Sequence, residues 1–289
     1  MTPASQFLQV VAETVANSYK QLPTIRAAMV TGSVAKGLAD TYSDIDMTLY
    51  YADELPDEAD LHTIREGLGG SERVWVLGDR SQGSFAEAYE LDNVQIQIGH
   101  TTIASWEATI AHVRDNLDVE SSVQKAMEGT LACQAIYGKR LIDQWKATIA
   151  DYPPALGKAM VEKNLQFFPV WGLEPHFQTR DATLWYHAIL VESAQHLIGI
   201  LAGLNQLYFT TFQFKRMQRF IDQMAHKPHQ LGERIEALFT NNMHDAVTDL
   251  EALVQETIQL VERHLPEIDT TYAKRRIGWR IEPWIPTRA

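Results

Sequence analysis

Two strand-like runs, Ile25 to Thr31 and Ile45 to Tyr51, flank a linker that opens with Gly32-Ser33 and closes with Ser43-Asp44. The second run alternates Ile45, Met47 and Leu49 with polar positions, the period of a strand with one face in a core. Asp44 and Asp46 are two residues apart, so both carboxylates project from the same face. Gly32 lets backbone approach a ligand closely, and Ser33 with the amides after it stands where a short helix begins. Strand, glycine turn, short helix, loop and carboxylate-bearing strand thus read as one unit.

The rest of the first third continues the strand pattern. Phe7, Val10, Val11, Val15 and Tyr19 recur at helical spacing and predict an amphipathic helix that Pro23 ends. Arg73 to Leu77 predicts a third strand. Val94-Gln95-Ile96-Gln97-Ile98 has clean period two, with β-branched residues on one face and glutamines on the other. Beyond residue 103 helical periodicity takes over, over 103–117, 119–136, 139–150, 154–167, 179–208, 213–225, 230–240 and 243–264. Strands followed by a run of helices imply an α+β chain: a small mixed sheet over 1–118 and an all-helical domain over 119–289. Phe167, Phe168, Trp171, Phe177 and Trp185 are expected as core between helices.

Charge and cysteine use narrow the function. A net charge of −12 argues against a broad grip on nucleic acid and suits a cationic ligand. The single cysteine, Cys133, excludes an internal disulfide framework and a multi-cysteine metal site. The N-terminus lacks the basic start and apolar run of a signal peptide, and Leu197 to Leu204 falls short of a bilayer span. A cytoplasmic protein without a membrane partner is expected.

Paired carboxylates on one strand face suit a hard divalent cation, because Mg²⁺ takes one or two protein carboxylates plus substrate phosphates. A phosphate-binding turn beside such a pair is equipment for phosphoryl or nucleotidyl transfer. The pattern Gly32-Ser33, ten intervening residues, then Asp44-x-Asp46 resembles the nucleotidyltransferase superfamily that includes DNA polymerase beta, and within it the small antibiotic (aminoglycoside and lincosamide) nucleotidyltransferases. The resemblance implies that Gly32 and Ser33 hold an NTP's triphosphate and that Asp44 and Asp46 ligate Mg²⁺, two ions with nucleotide bound. Lys36 and Ser43 are further candidates for nucleotide contact, Lys36 equally readable as a solvated helix residue. The implied reaction moves a nucleoside monophosphate, from ATP as the expected donor, to a hydroxyl of a small, cationic, antibiotic-like acceptor.

The same family carries a third carboxylate on a later strand, used for metal binding and as the base. The matching strand here is 94–98, where Gln95 stands at the expected position and Gln97 shares its face. A glutamine can ligate through its carbonyl oxygen but cannot take a proton. Glu90 or Asp92 from the strand's start, or His100 at its end, are the candidate bases, and slow turnover is expected without one. The alternatives are a nucleotide-binding pseudoenzyme and an enzyme that nucleotidylates a protein.

Overall fold

The computed structural model describes residues 1–119 and 123–284. The chain divides into two compact units, one of residues 1–116 and 125–151, the other of 117–124 and 152–289. This differs from the expected boundary at 118, because a strand over 134–137 returns to the sheet.

The first unit runs α1 (Pro3–Tyr19), β1 (Ile25–Val30), α2 (Gly32–Ala35), β2 (Ile45–Tyr51), α3 (Glu58–Gly67), β3 (Trp75–Asp79), β4 (Ser84–Leu91), β5 (Val94–Thr102), α4 (Ile103–Asp115), α5 (Val123–Ala132), β6 (Gln134–Tyr137) and α6 (Lys139–Ala150). The six strands form one mixed sheet in the order β3-β4-β5-β2-β1-β6. β2 and β5 are parallel and every other pair is antiparallel. The β4–β5 hairpin is closed by Asp92 and Asn93, both at positive φ (50° and 63°), the backbone of a two-residue turn that suits strand twist. Two strands were not expected: β4, and β6, which overlaps the end of a stretch expected to be helix over 119–136. β6 is four residues long, too short for period two to show.

One face of the sheet buries Ile45, Met47 and Leu49 of β2 and Ile96 and Ile98 of β5, in one cluster with Leu8, Ala12, Val15, Ala16 and Tyr19 of α1 and Leu61 and Ile64 of α3. The buried stripe of α1 therefore differs from the expected one. Phe7 and Val10 are exposed, and small alanines fill the interior turn. On the opposite face Tyr50 packs against Trp145 of α6 and Trp106 of α4, with ring centroids 4.5 and 6.0 Å apart. Such aromatic pairs add about 0.5–1.5 kcal/mol beyond the area they bury. They cover one end of that face and leave its other end, at Asp46, Gln95 and Gln97, half-buried and polar.

The second unit is helical: α7 (Pro154–Asn164), α8 (Glu174–Thr179), α9 (Thr183–Leu204), α10 (Met217–Ile221), α11 (Leu231–Thr240), α12 (Met243–His264) and α13 (Thr271–Lys274). Leu197, Ile198 and Leu201 of α9 share a core with Ile235 and Leu238 of α11 and Leu250, Leu253 and Val254 of α12. Gly157 and Gly203 let α7 and α9 cross closely, since a Cβ on Gly203 would lie 2.5 Å from the Gly157 carbonyl oxygen. Trp171 and Phe177 are core residues, whereas Phe168 and Trp185 are 40% and 45% exposed and meet edge to face at the surface. By length and composition α9 could cross a membrane, a longer apolar run than expected, but 61% of its most apolar window is buried in the structure.

Candidate active site

The glycine turn and the carboxylate strand meet through Gly32 and Asp46. Thr31 at the end of β1 donates its backbone N–H to the Asp46 carbonyl, at 2.8 Å, which fixes the turn against β2. Gly32 has φ +62°, and a Cβ built on it would lie 2.2 Å from Asp46 Oδ2. The space a side chain would fill is the space the carboxylate occupies. The first helical hydrogen bond of α2 comes from Ala35 to the Thr31 carbonyl, 3.3 Å, so the Ser33 and Val34 amides precede it and have no partner within the helix.

Strand register assembles the rest of this face. Asp46 is paired with Gln97 in the parallel β2–β5 ladder, and Ile45 with Ile96, so Asp44 falls beside Gln95. Gln95 is in turn paired with Glu90 across the β4–β5 hairpin. Asp44, Gln95 and Glu90 therefore form a row over three adjacent strands, on the same face as Asp46 and Gln97. Gln97 Nε2 donates to Asp44 Oδ2 at 2.5 Å and to Gln95 Oε1 at 2.9 Å. Gln97 is thus the glutamine whose side chain is bonded to Asp44, and Gln95 is its acceptor. Glu90 is exposed, and its backbone is tied to Ser71 through Ser71 N–H to the Glu90 carbonyl, 2.8 Å, and Glu90 N–H to Ser71 Oγ, 2.9 Å. Asp92 sits in the hairpin turn, where its backbone shapes the loop.

Lys36 follows α2, and its ammonium donates to Glu128 of α5 at 2.6 Å. Ser43 is used by its own loop: its hydroxyl accepts from the Asp40 amide at 3.0 Å and donates to Asp40 Oδ1 at 3.1 Å. Tyr42, at the tip of that loop, is 97% exposed.

His100 is on the other face of the sheet and cannot serve as a base for this site. It is paired with Leu49 and Phe85, and is fully buried with Phe85 stacked on it at 4.6 Å. Gln97 and His100 are three residues apart, an odd number, so the strand turns them to opposite faces. His100 Nδ1 lies 2.8 Å from the Tyr51 hydroxyl, and Nε2 lies 3.2 Å from Glu87 Oε1. Burial, the strongest influence, holds its pKa below the usual value, against the opposing pull of Glu87. The neutral ring accepts from Tyr51 and donates to Glu87, a tautomer assigned from its partners. Burial raises the Glu87 pKa, but His100 and the Arg73 guanidinium outweigh it and hold the carboxyl below its ordinary value. The buried Glu87 and the half-buried Arg73 form an ion pair absent from the sequence reading, because no local pattern distinguishes an inward-facing glutamate in β4.

The donor chemistry around Gly32 fits one hard cation. Asp44 and Asp46 offer carboxylate oxygens from one face, the donors Mg²⁺ prefers, with room left for substrate phosphates. Among the described residues no cluster of three or more His, Cys, Asp or Glu side chains is arranged to hold a metal.

Neither a family model nor a curated protein matches this sequence. Among solved structures, the chain is similar to a nucleotidyltransferase-like protein from Exiguobacterium sibiricum 255-15, at 10% identity and a TM-score of 0.35, over 91% of this chain and 81% of that one.

Proposed function

We propose that this chain is a cytoplasmic nucleotidyltransferase that moves a nucleoside monophosphate from an NTP, with ATP the expected donor, to a hydroxyl of a small acceptor. The observation that carries the reading is the fit of the Asp46 carboxylate into the space left by the missing Gly32 side chain, with Asp44 on the same face. A divalent cation bound by Asp44 and Asp46 would supply charge stabilisation to the phosphoryl oxygens. The Ser33 and Val34 amides would donate to the triphosphate, and Lys36 would add a positive charge on leaving Glu128. In the transfer, the acceptor oxygen bonds to the α-phosphorus as the bond to the bridging oxygen breaks and pyrophosphate departs. The acceptor's proton passes to Glu90, the carboxylate on this face that lies outside the aspartate pair. The acidic charge of the chain favours a cationic, aminoglycoside- or lincosamide-like acceptor.

A second reading, a nucleotide-binding protein without turnover, is favoured by Gln97, an amide bonded to Asp44 where a carboxylate would strengthen metal binding. The test measures NTP binding by calorimetry with and without Mg²⁺, then pyrophosphate release with small acceptors and candidate proteins. Mg²⁺-dependent binding that Asp44→Asn and Asp46→Asn abolish, with release driven by a small acceptor, is the expected result. Binding without release in every arm selects the second reading, and NTP affinity indifferent to both substitutions defeats both.

A further inference from the structure

We propose that Gln97 limits this site to a single divalent cation, acting as a positioning residue for Asp44; the inference rests on the reading of Asp44 and Asp46 as a metal–nucleotide site. Gln97 is paired with Asp46 in the ladder, yet its side chain reaches diagonally to Asp44 Oδ2 at 2.5 Å. An ionised carboxylate only accepts, so the amide must present its NH₂ to Asp44. The second N–H of that group goes to Gln95 Oε1 at 2.9 Å, which fixes the amide from both sides. Gln97 thus supplies Asp44 with two things a carboxylate in its place could not: a hydrogen-bond donor and no negative charge. It orients Asp44 without needing a cation to separate like charges.

Ligand count follows. A first ion would be held by Asp44 and Asp46, with triphosphate oxygens and water supplying its other ligands. A second ion, which in two-metal sites sits about 3.5–4 Å from the first, would share the same two carboxylates. The neutral side-chain oxygens beside the aspartates on this face belong to Gln97, whose amide is already held by two hydrogen bonds, and to Gln95, whose Oε1 already accepts from Gln97. Glu90 lies one strand further out, paired with Gln95. The donor set therefore serves one ion well and a second poorly.

The experiment counts Mn²⁺ by electron paramagnetic resonance on the full chain saturated with α,β-methylene-ATP, with nucleotide binding followed separately by calorimetry. The expected result is one Mn²⁺ per bound nucleotide in the wild type and two in Gln97→Glu, with Gln97→Asp as a second carboxylate variant. A gain in thermal stability on adding Mn²⁺ without nucleotide should be larger in the carboxylate variants, where three anions crowd one face. Two Mn²⁺ per nucleotide in the wild type overturns the proposal, as does a count of one in every folded carboxylate variant. The wild-type count decides the matter alone if neither variant folds. Failure of the wild type to bind the nucleotide at all removes the functional reading, and this inference with it, an outcome the calorimetry separates from a wrong count.

Discussion

A Cβ at Gly32 and the Oδ2 atom of Asp46 cannot coexist: they would lie 2.2 Å apart. Gly32→Ala must therefore push the carboxylate out of the site, and at φ +62° it also strains the backbone, by about 1–2 kcal/mol for an L-residue. Urea unfolding should show a loss of that size. Calorimetry should show NTP affinity falling by about tenfold or more, since each factor of ten is about 1.4 kcal/mol. A variant that loses stability but binds NTP as the parent does would separate the glycine from the nucleotide.

Glu90 shares the polar face with Asp44 through Gln95. General base catalysis contributes about 10²–10⁴-fold, so Glu90→Gln should slow acceptor-dependent pyrophosphate release by that factor and leave NTP affinity unchanged. A rate within twofold of wild type would assign the proton to water.

The Lys36–Glu128 pair, 2.6 Å and about a quarter exposed on each side, competes with any phosphate for the same ammonium. Glu128→Gln should raise NTP affinity a few-fold and cost less than about 1 kcal/mol in stability, as partly exposed ion pairs do. If Glu128→Gln and Lys36→Ala both leave affinity where it was, Lys36 serves only the packing of α5.

The buried Glu87–His100 pair makes the sheet unit sensitive to acid. The folded pKa of His100 lies below its ordinary 6.5, so the unfolded chain takes up the proton first. The stability tied to the neutral ring is present above pH 6.5 and is lost as pH falls from there toward the folded value. Glu87, held below its ordinary 4.5, adds a second loss under more acidic conditions. Denaturation midpoints at pH 8, 6 and 5 should fall in that order. His100→Gln should start from lower stability, with a flatter slope between pH 8 and 6, while NTP binding at low temperature persists, because the ring faces away from Asp44.

Much of this was legible in the chain itself. Period two in 45–49 and 94–98 is enough to put Asp44 with Asp46 and Gln95 with Gln97, because side chains on a strand alternate without regard to neighbours. The same parity turns Gln97 and His100 to opposite faces, but it applies only because β5 runs unbroken from Val94 to Thr102, which the sequence reading of 94–98 does not include. The helices over 139–150 and 243–264 follow from apolar spacing and agree with α6 and α12. Which strand lies beside which is not a local property. The parallel register of β2 with β5 lays both glutamines beside the aspartates, the Gln97 side chain then reaches diagonally to Asp44, and the hairpin register adds Glu90 to the row. β6 closes the sheet from beyond residue 118, and Glu87 turns inward to meet His100 and Arg73. Each depends on hydrogen bonds and charge pairs between residues distant in sequence, whose free energy exists only once the strands are side by side.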